Sequence, residues 1–203
     1  DELIPSGETS SYRSNPLKLA EFTLSRKDPA YVERAKASQK WEKLRLEKGT
    51  SFDDSDPSCP IHVIRSIEGF ADIDSGTIGC GSLVYAVKPG DGSAREQAAS
   101  CQKVLGGWAN IAREYATKRY RSNLINWGML PFLIDGEPPF EKYDNIFIPY
   151  IRRAVAEKRA SITAYALTKD GVRPFELTLG DLTDDERAII LAGCLINYYR
   201  AQK

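Results

Sequence analysis

The chain has 203 residues, which is enough for one sizeable core or for one domain with an appendage. Its 28 lysines and arginines balance its 28 aspartates and glutamates, and this neutrality argues against a nucleic-acid module whose affinity depends on neutralising phosphates. No apolar run approaches the ~20 residues that span a membrane, and the N-terminus lacks a signal-peptide pattern. Because the first residue is Asp1 rather than methionine, we expect a fragment or a processed product.

The four cysteines lie far apart with no C-x-x-C pair: Cys59, Cys80, Cys101 and Cys194. Their number and spacing do not suit a disulfide scaffold, so we expect free thiols in a reducing, cytoplasmic compartment. The spacing of Cys59 and His62 would suit two zinc ligands, but a zinc site needs at least three protein ligands, and only scattered cysteines remain. His62 is the only histidine, and no local signature of a serine or cysteine triad surrounds it. We therefore predict no metal site in this chain.

The first elements in chain order form an N-terminal arm. This arm, residues 1–60, is predicted to pack on a main body, residues 61–203, so that the two together make one domain. Within the arm, Asp28 can cap a charged helix, Pro29 suits its first position, and Gly49 ends it.

In the main body, predicted strands alternate with predicted helices. In chain order they are a strand at 61–67, a strand at 81–88, a helix at 94–105, a strand at 108–112, a helix at 113–123, a strand at 129–134, an extended then helical segment at 144–158, a hairpin at 160–179 and a helix at 182–203. Thr183 and Glu186 form a T-x-x-E capping box at the start of the final helix. The alternation predicts an α/β domain with a mixed sheet and flanking helices.

The stretch GDGSAREQAA, residues 90–99, follows a predicted strand and opens a predicted helix. Ser93 and Glu96 make an S-x-x-E capping box, which would explain the serine by structure alone. However, Gly92 lets the backbone approach a ligand, and the N–H groups of a helix N-terminus attract anions. Arg95 in the first turn opposes the helix dipole and is better explained if it holds an anion in a bidentate fork.

The same loop lacks two nucleotide-binding patterns. No G-K-[ST] closes it, as a P-loop would require, and position 95 is arginine where a dinucleotide fingerprint has its third glycine. A carboxylate or a simple phosphate is therefore favoured over a nucleotide.

Three segments in this order resemble the C-terminal swivelling domain of the aconitase superfamily: GDGSAREQAA at 90–99, VLGG at 104–107 and NLINWGMLP at 123–131. The opening DELIPSG at 1–7, the arginine in SSYRSNP and the acid-capped final helix resemble the two ends of that domain. The resemblance implies a swivelling β/β/α fold of the aconitase C-terminal type over nearly the whole chain.

The resemblance also implies a hydro-lyase that reversibly removes water from a hydroxy-carboxylic acid. Ser93 matches the family's catalytic base, a deprotonated serine. Five further residues match substrate-binding positions or neighbour the base in the loop: Arg95, Arg13, Asp1, Gly92 and Ala94. A serine alkoxide needs concentrated positive potential, which loop amides, a helix N-terminus and Arg95 would supply.

In this family the leaving hydroxide goes to an open iron of a [4Fe-4S] cluster that is held by the large N-terminal domains. The cysteines of this chain are too far apart in sequence to suggest such a cluster. We therefore expect no cofactor in this chain, and a [4Fe-4S] cluster on aconitase-type partner domains, either on the same polypeptide or on a separate subunit. The chain alone should be inactive.

Several positions depart from the family pattern. Ala94 stands in place of a second serine, Gln97 and Glu2 stand in place of histidines, and Ile4 stands in place of another serine. These losses of polar contacts predict a divergent member with a substrate other than citrate or isopropylmalate.

Other readings of the sequence remain open. The main alternative is a non-catalytic carboxylate-binding or assembly subunit derived from the same domain, and a third is a stand-alone phosphate-binding enzyme. The basic cluster KRYR at 118–121 is interpreted as a solvated helix face rather than an RNA site, because the net charge is zero. Trp108 and Trp127 are interpreted as core packing.

Overall fold

The computed structural model describes residues 2–50, 52–53, 55–56 and 59–202. The helices are α1 Pro16–Ala20, α2 Tyr31–Lys48, α3 Pro60–Arg65, α4 Arg95–Val104, α5 Lys118–Asn126, α6 Ile151–Ala156, α7 Asp184–Ala192 and α8 Leu195–Arg200. The strands are β1 Ser82–Ala86, β2 Gly107–Ala112, β3 Leu130–Leu133, β4 Asn145–Phe147, β5 Ile162–Thr168 and β6 Gly171–Leu177. Among these described helices, none is long and apolar enough to cross a membrane.

The strands form two three-stranded sheets. In the first, β1, β2 and β3 are parallel and lie in that order, with α4 and α5 as the crossovers between them. In the second, β4, β5 and β6 are antiparallel, and β5 and β6 form the predicted hairpin. A bridge between Leu133 and Thr178 joins the two sheets. The predicted α/β fold with flanking helices is confirmed. In place of the predicted single mixed sheet there are a parallel sheet and an antiparallel sheet, because the hairpin β5–β6 pairs with β4 and meets the parallel strands only at one bridge.

The parallel sheet lies between two apolar clusters because its side chains alternate in direction. Ala109 and Ile111 of β2 belong to a cluster with the antiparallel sheet, α6 and α7. Asn110, between them, instead bonds to Gln102 of α4. A second cluster joins α4 and α5 to the N-terminal arm, through buried residues such as Tyr31. The arm therefore packs on the helical face, while the predicted boundary at residue 60 stays a prediction.

The segment 61–67, predicted as a strand, is the helix α3. Pro60 occupies the first helical position, where its missing N–H costs nothing. Ile61 and Ile64, three residues apart, are both buried, so the apolar pattern is helical rather than alternating. The prediction was wrong because a short β-branched run does not distinguish a strand from a buried helical turn.

The single helix predicted at 182–203 is two helices. The Thr183–Glu186 capping box is present, and it starts α7. Gly193 then ends α7 with a φ of 88°, a left-handed conformation that suits glycine. A Cβ on Gly128 would lie 1.9 Å from the carbonyl oxygen of Gly193, so the break brings two backbones into close contact.

Two predicted helix starts are also displaced. The charged helix of the arm begins at Tyr31, and Asp28 does not cap it with its side chain. The helix predicted from residue 113 begins at Lys118, where the hydroxyl of Thr117 accepts a hydrogen bond from the backbone N–H of Tyr120. Gly49 ends the charged helix in a left-handed conformation, as predicted.

Candidate functional site

The segment between β1 and α4, residues 87–94, is called here the anion loop. Its backbone is held by the segment that precedes α5. Ala116 donates a backbone hydrogen bond to the carbonyl of Pro89 at 2.9 Å, and the Thr117 hydroxyl donates to the carbonyl of Gly90 at 2.9 Å. These bonds fix the carboxyl end of β1 relative to the neighbouring crossover.

Gly90 is required at the centre of this loop. Its φ is 98°, and a Cβ at this position would lie 2.5 Å from three side-chain atoms of Tyr120. Tyr120 cannot move aside easily, because it is completely buried and hydrogen-bonded. The loop backbone therefore packs directly against the fixed side chain of Tyr120.

Tyr120 belongs to a closed ring of three buried polar side chains. Its hydroxyl donates to Asn110 Oδ1 at 2.6 Å, Asn110 Nδ2 donates to Gln102 Oε1 at 2.6 Å, and Gln102 Nε2 donates to the Tyr120 hydroxyl at 2.9 Å. Burial raises the pKa of Tyr120 well above its ordinary value, so its hydroxyl keeps the proton that it donates. All three side chains are satisfied, and the ring makes a rigid support for the anion loop.

Ser93 does not cap α4. The helix begins at Arg95 with Ala94 before it, and no side chain caps its first amides. Ser93 is exposed, and among the residues that the structure describes its hydroxyl donates one long hydrogen bond, 3.5 Å, to Ser6 Oγ. Glu96 accepts a hydrogen bond from Trp127 Nε1 at 2.9 Å instead of closing a box. The predicted S-x-x-E capping box is therefore wrong, and helix capping does not explain Ser93.

Arg95 is half-buried in the first turn of α4. Its Nε is completely buried and has no hydrogen-bond partner among the described residues. Burying such a donor without a partner costs about 1–3 kcal/mol. An unpaired arginine donor at a helix N-terminus is the arrangement expected of an anion site that is completed by its ligand.

Arg95 lines a cleft of about 1690 Å³. The strand β1 and the anion loop line it, together with α2 and the segment 138–153. Of the predicted site residues, Gly92, Ala94 and Arg95 line this cleft together. Their neighbour Ser93 does not, although it adjoins them in sequence.

The remaining predicted site residues lie apart. Arg13 is exposed, directly after the 3-10 turn Ser10–Tyr12, and does not line the cleft. Asp1 lies outside the described residues. The structure thus brings three of the predicted residues to one cleft and leaves the roles of all six as predictions.

A charged group that the sequence reasoning missed also lines the cleft. The carboxylate of Asp28 pairs with Arg34 and with Lys142, whose Nζ lies 3.1 Å away. Burial raises the pKa of Asp28, but hydrogen bonds from the two cations outweigh it, so the pKa is lowered. Arg34 also lies over the ring of Tyr143, 4.6 Å from its centre. Asp28 and Arg34 lie six residues apart in the arm, whereas Lys142 and Tyr143 come from a distant segment, and no local motif marks the group.

The buried Tyr31 also lines the cleft. It forms a 3.0 Å hydrogen bond with Ser82 Oγ, between α2 and β1. Burial raises its pKa to about 12, so it stays protonated at neutral pH. Tyr31 therefore joins the arm to the floor of the cleft as a neutral group.

The described residues contain no group of three or more histidine, cysteine, aspartate or glutamate side chains able to hold a metal ion. Cys59 and Cys80 share one apolar cluster, whereas Cys101 lies buried in another. Burial raises the pKa of Cys101 to about 12, which disfavours the thiolate that a metal requires. The residues present do not fit an iron–sulfur cluster.

The basic cluster at 118–121 is not a uniform charged surface. Tyr120 within it is buried, and the guanidinium of Arg121 donates to the carbonyls of Leu179 and Asp181. Trp127 packs against the apolar cluster of α4 and α5, in agreement with its interpretation as a packing residue, whereas Trp108 is exposed and the same interpretation was wrong for it.

The parallel strands β1, β2 and β3, their crossover helices and the glycine loop that carries Arg95 after β1 together define an α/β domain. Residues 81–137 match the family model described as the aconitase C-terminal domain. This segment contains β1, the anion loop, α4, β2, α5 and β3, so it includes the rigid support as well as the loop.

The fold of the whole chain is similar to the crystal structure of 3-isopropylmalate dehydratase (LeuD) from Methanocaldococcus jannaschii. The two have a TM-score of 0.51 and are 18% identical in sequence, and the match covers 100% of this chain and 86% of that one. No curated protein sequence matches the chain. The resemblance predicted from the sequence and the aconitase C-terminal type of fold are thus confirmed.

Proposed function

We propose that this chain is the substrate-binding and catalytic-base domain of an aconitase-like hydro-lyase, acting on a hydroxy-carboxylic acid. The observation that carries the proposal is the buried, unpaired Nε of Arg95, in a loop that matches the aconitase C-terminal domain. An unpaired arginine donor calls for an anion, and a carboxylate of the substrate supplies it in bidentate form.

In this proposal Ser93 removes the proton next to a substrate carboxylate. Its position two residues before α4 puts it near the positive end of the helix and next to the loop amides. Arg95 adds a full positive charge in the same turn. Together they lower the free energy needed to deprotonate the Ser93 hydroxyl to an alkoxide, which a free serine could not form near neutral pH.

The exposure of Ser93 is consistent with a base whose active site is completed by a partner domain. Arg13 is exposed as well, and the proposal assigns it to the substrate's other carboxylate, together with Asp1. Gly92 allows the close approach of the loop backbone, and Ala94 presents a methyl group to the cleft. The complete site would then form only where a partner covers these residues.

The partner would be the aconitase-type domains that carry the [4Fe-4S] cluster, on the same polypeptide or on another. Bound there, the cluster supplies the Lewis acid that takes the leaving hydroxyl group. This chain's own residues bind and orient the acid and remove the proton. The proposal places the chain in the cytoplasm, since four widely spaced cysteines do not suit the disulfide scaffold of a secreted protein.

The test is Ser93→Ala in the assembled enzyme, purified without oxygen together with its cluster-bearing part. We expect the rate of dehydration to fall by about 10²–10⁴-fold, which is the usual contribution of a general base, while the enzyme still assembles. Ser14→Ala, at another exposed serine, is the matched control and should keep full activity. If Ser93→Ala retains activity, the assignment of the base is wrong.

The alternative is a non-catalytic carboxylate-binding or assembly subunit of the same origin. The location of Ser93 outside the cleft favours it, because the base and Arg95 do not line one cavity in this chain. In that case Arg95→Gln would weaken carboxylate binding, while Ser93→Ala would change neither binding nor any turnover of the assembly.

A further inference from the structure

The strand β1 has an open edge that faces the cleft. Among the described strands it pairs with β2 alone, so it is an edge strand of the parallel sheet. On its other side, every residue from 81 to 92 lines the cleft. The volume of the cleft, about 1690 Å³, exceeds the volumes of about 300–1,000 Å³ that are usual for small-molecule sites. The space beside β1 is therefore large enough for a segment of polypeptide.

The hydrogen bonds of the sheet show which main-chain groups of β1 point into the cleft. Ser82, the first residue of β1, donates its main-chain N–H at 3.1 Å to the carbonyl just before β2. Main-chain groups point alternately to the two sides along a strand, so Val84 and Ala86 also face β2. Leu83 and Tyr85 therefore face the opposite side, where the cleft lies.

The hydrogen bonds of β2 lead to the same assignment. The carbonyl of Ala112 accepts a hydrogen bond at 3.0 Å from the N–H of Ile134, so Ala112 faces β3 and the preceding Ile111 faces β1. Ile111 is opposite Tyr85 in the parallel register. In a parallel pair, a residue that faces the neighbouring strand bonds to the two residues that flank its partner, so Tyr85 itself is not bonded to β2.

Two N–H groups and two C=O groups of β1 are thus open to the cleft. These main-chain groups of Leu83 and Tyr85 have no hydrogen bond to any described residue outside the ladder with β2, which they do not face. Beyond the strand, the carbonyl of Val87 turns back and accepts the N–H groups of Arg113 and Glu114, both at 3.2 Å. Edge strands are commonly protected by proline or charged residues, and the five residues of β1 include neither. An unprotected edge of this kind can pair with an additional strand.

The two walls of the cleft would receive alternate side chains of such a strand. The side chain of Val84 packs in one apolar cluster with Tyr31 of α2. The ring of Tyr85 points the other way and lies 5.6 Å from that of Phe140, in the segment 138–153. A strand added beside β1 continues the same alternation, with one set of side chains toward α2 and the other toward that segment.

Part of the wall is positively charged. Arg34 and Lys142 share the single carboxylate of Asp28, so the group of three keeps one net positive charge. Arg152 also lines the cleft and donates to the carbonyl of Leu191, which does not neutralise its charge. A carboxylate on the added strand would be attracted to these cations, whereas a basic side chain would be repelled.

We propose that the open edge of β1 binds an extended segment of the cluster-bearing partner, which adds to the sheet as a strand and carries an acidic side chain opposite Arg34 and Lys142. The inference rests on the proposed function for the identity of the partner, and its new content is how the partner is held. Because β1 leads directly into the anion loop, the added strand also covers the cleft next to the loop that carries Arg95.

The first test is hydrogen exchange, resolved to single residues by mass spectrometry, on the whole chain alone and in the assembly with its cluster-bearing part. In the chain alone, the N–H groups of Leu83 and Tyr85 should exchange fast and those of Val84 and Ala86 slowly. In the assembly, exchange at Leu83 and Tyr85 should slow by about 100-fold or more. If these two N–H groups are already slow in the chain alone, or stay fast in the assembly, the inference is overturned.

The second test removes one of the outward donors. In Leu83→Pro the outward N–H is lost while the ladder with β2 is kept, a position at which edge strands tolerate proline. Leu83→Ala is the matched control, because it also loses the packing of the leucine but keeps the N–H. The Kd of Leu83→Pro for the cluster-bearing part should be about 2- to 10-fold higher than that of Leu83→Ala, the usual effect of one hydrogen bond. Equal Kd values overturn the inference, and if Leu83→Pro does not fold, the exchange experiment decides.

The third test concerns the acidic side chain of the partner. Lys142→Gln leaves Arg34 neutralised by Asp28, so it should raise the Kd for the cluster-bearing part by about threefold at low salt and by less at high salt. Lys169→Gln, at the exposed tip of the hairpin β5–β6, is the matched control and should leave the Kd unchanged. If the two variants behave alike, the bound segment is not acidic at this point and that part of the inference is wrong.

The outcomes separate this inference from the proposed function. If the assembly forms and dehydrates its substrate while Leu83 and Tyr85 still exchange fast, only this inference fails. If the unmodified chain binds no cluster-bearing part, the proposed function fails, and this inference fails with it.

Discussion

Gly90→Ala tests whether the anion loop owes its shape to contact with a fixed ring. The φ of Gly90 is 98°, and an alanine held at positive φ costs about 1–2 kcal/mol. The new Cβ would lie 2.5 Å from three atoms of Tyr120, a contact that real Cβ atoms do not make. Because Tyr120 is tied to two buried side chains, relief requires a shift of the loop or of the polar ring, at about 1–3 kcal/mol. The sum is a loss of about 2–5 kcal/mol in the free energy of unfolding.

Gly136→Ala is the matched control. Gly136 also has positive φ, 73°, but an added Cβ would meet no heavy atom within 4 Å. It should therefore lose only about 1–2 kcal/mol, since conformational strain is its only cost. The change in unfolded-chain entropy is the same for both variants and cancels in the comparison.

The assay is urea unfolding of both variants, followed by tryptophan fluorescence and fitted with a common m-value. The Gly90 variant should unfold at the lower urea concentration. Equal losses of unfolding free energy in the two variants would refute the argument, because they would mean that the Tyr120 ring yields without cost.

Three further predictions concern buried polar groups and thiols. Tyr120→Phe should lower the free energy of unfolding by about 1–3 kcal/mol, measured by urea unfolding, because Asn110 loses a donor inside the core. The lowered pKa of Asp28 makes its ionised form stabilising above its ordinary pKa of 3.8, and this contribution is lost as the pH falls through the lower folded value. Thermal unfolding of Asp28→Asn should therefore show a weaker dependence on pH between about 5 and 2 than that of the unmodified chain. In the native chain a thiol reagent should modify Cys194 before Cys101. Cys194 is only partly buried, whereas Cys101 is buried and has a pKa raised to about 12. Equal rates of modification of the two thiols would contradict this prediction.

Local chemistry made much of the fold predictable. The strand at 81–88, the helix after the loop and the hairpin around residues 169–171 are all present, because each carries its own period and its own turn residues. The errors arose where two local patterns conflicted. At 61–67 the β-branched run predicted a strand, although Pro60 is typical of a helix start, and the structure has a helix there. Near residue 193 the long apolar face predicted one continuous helix, although Gly193 ends α7.

The candidate site was only partly predictable for a related reason. The loop could be recognised because its glycines, serine and arginine lie close together in sequence, within residues 90–95. The Asp28–Arg34–Lys142 group could not, because its members lie on the arm and on the segment before β4. The buried ring of Gln102, Asn110 and Tyr120 likewise has no signal in any one segment, since each residue alone looks like an ordinary helix or strand position.

The sequence by itself therefore determined the chemistry of the anion loop: flexible glycines, a serine before a helix and an arginine in its first turn. Only the tertiary structure decided that Ser93 is exposed and does not cap α4, that Arg95 has a buried donor without a partner, and that Arg95, but not Ser93, lines a large cleft. The physical reason is that a local sequence pattern fixes which chemical groups a segment contains. The burial and hydrogen bonding of those groups depend on other segments, which folding brings together from the whole chain.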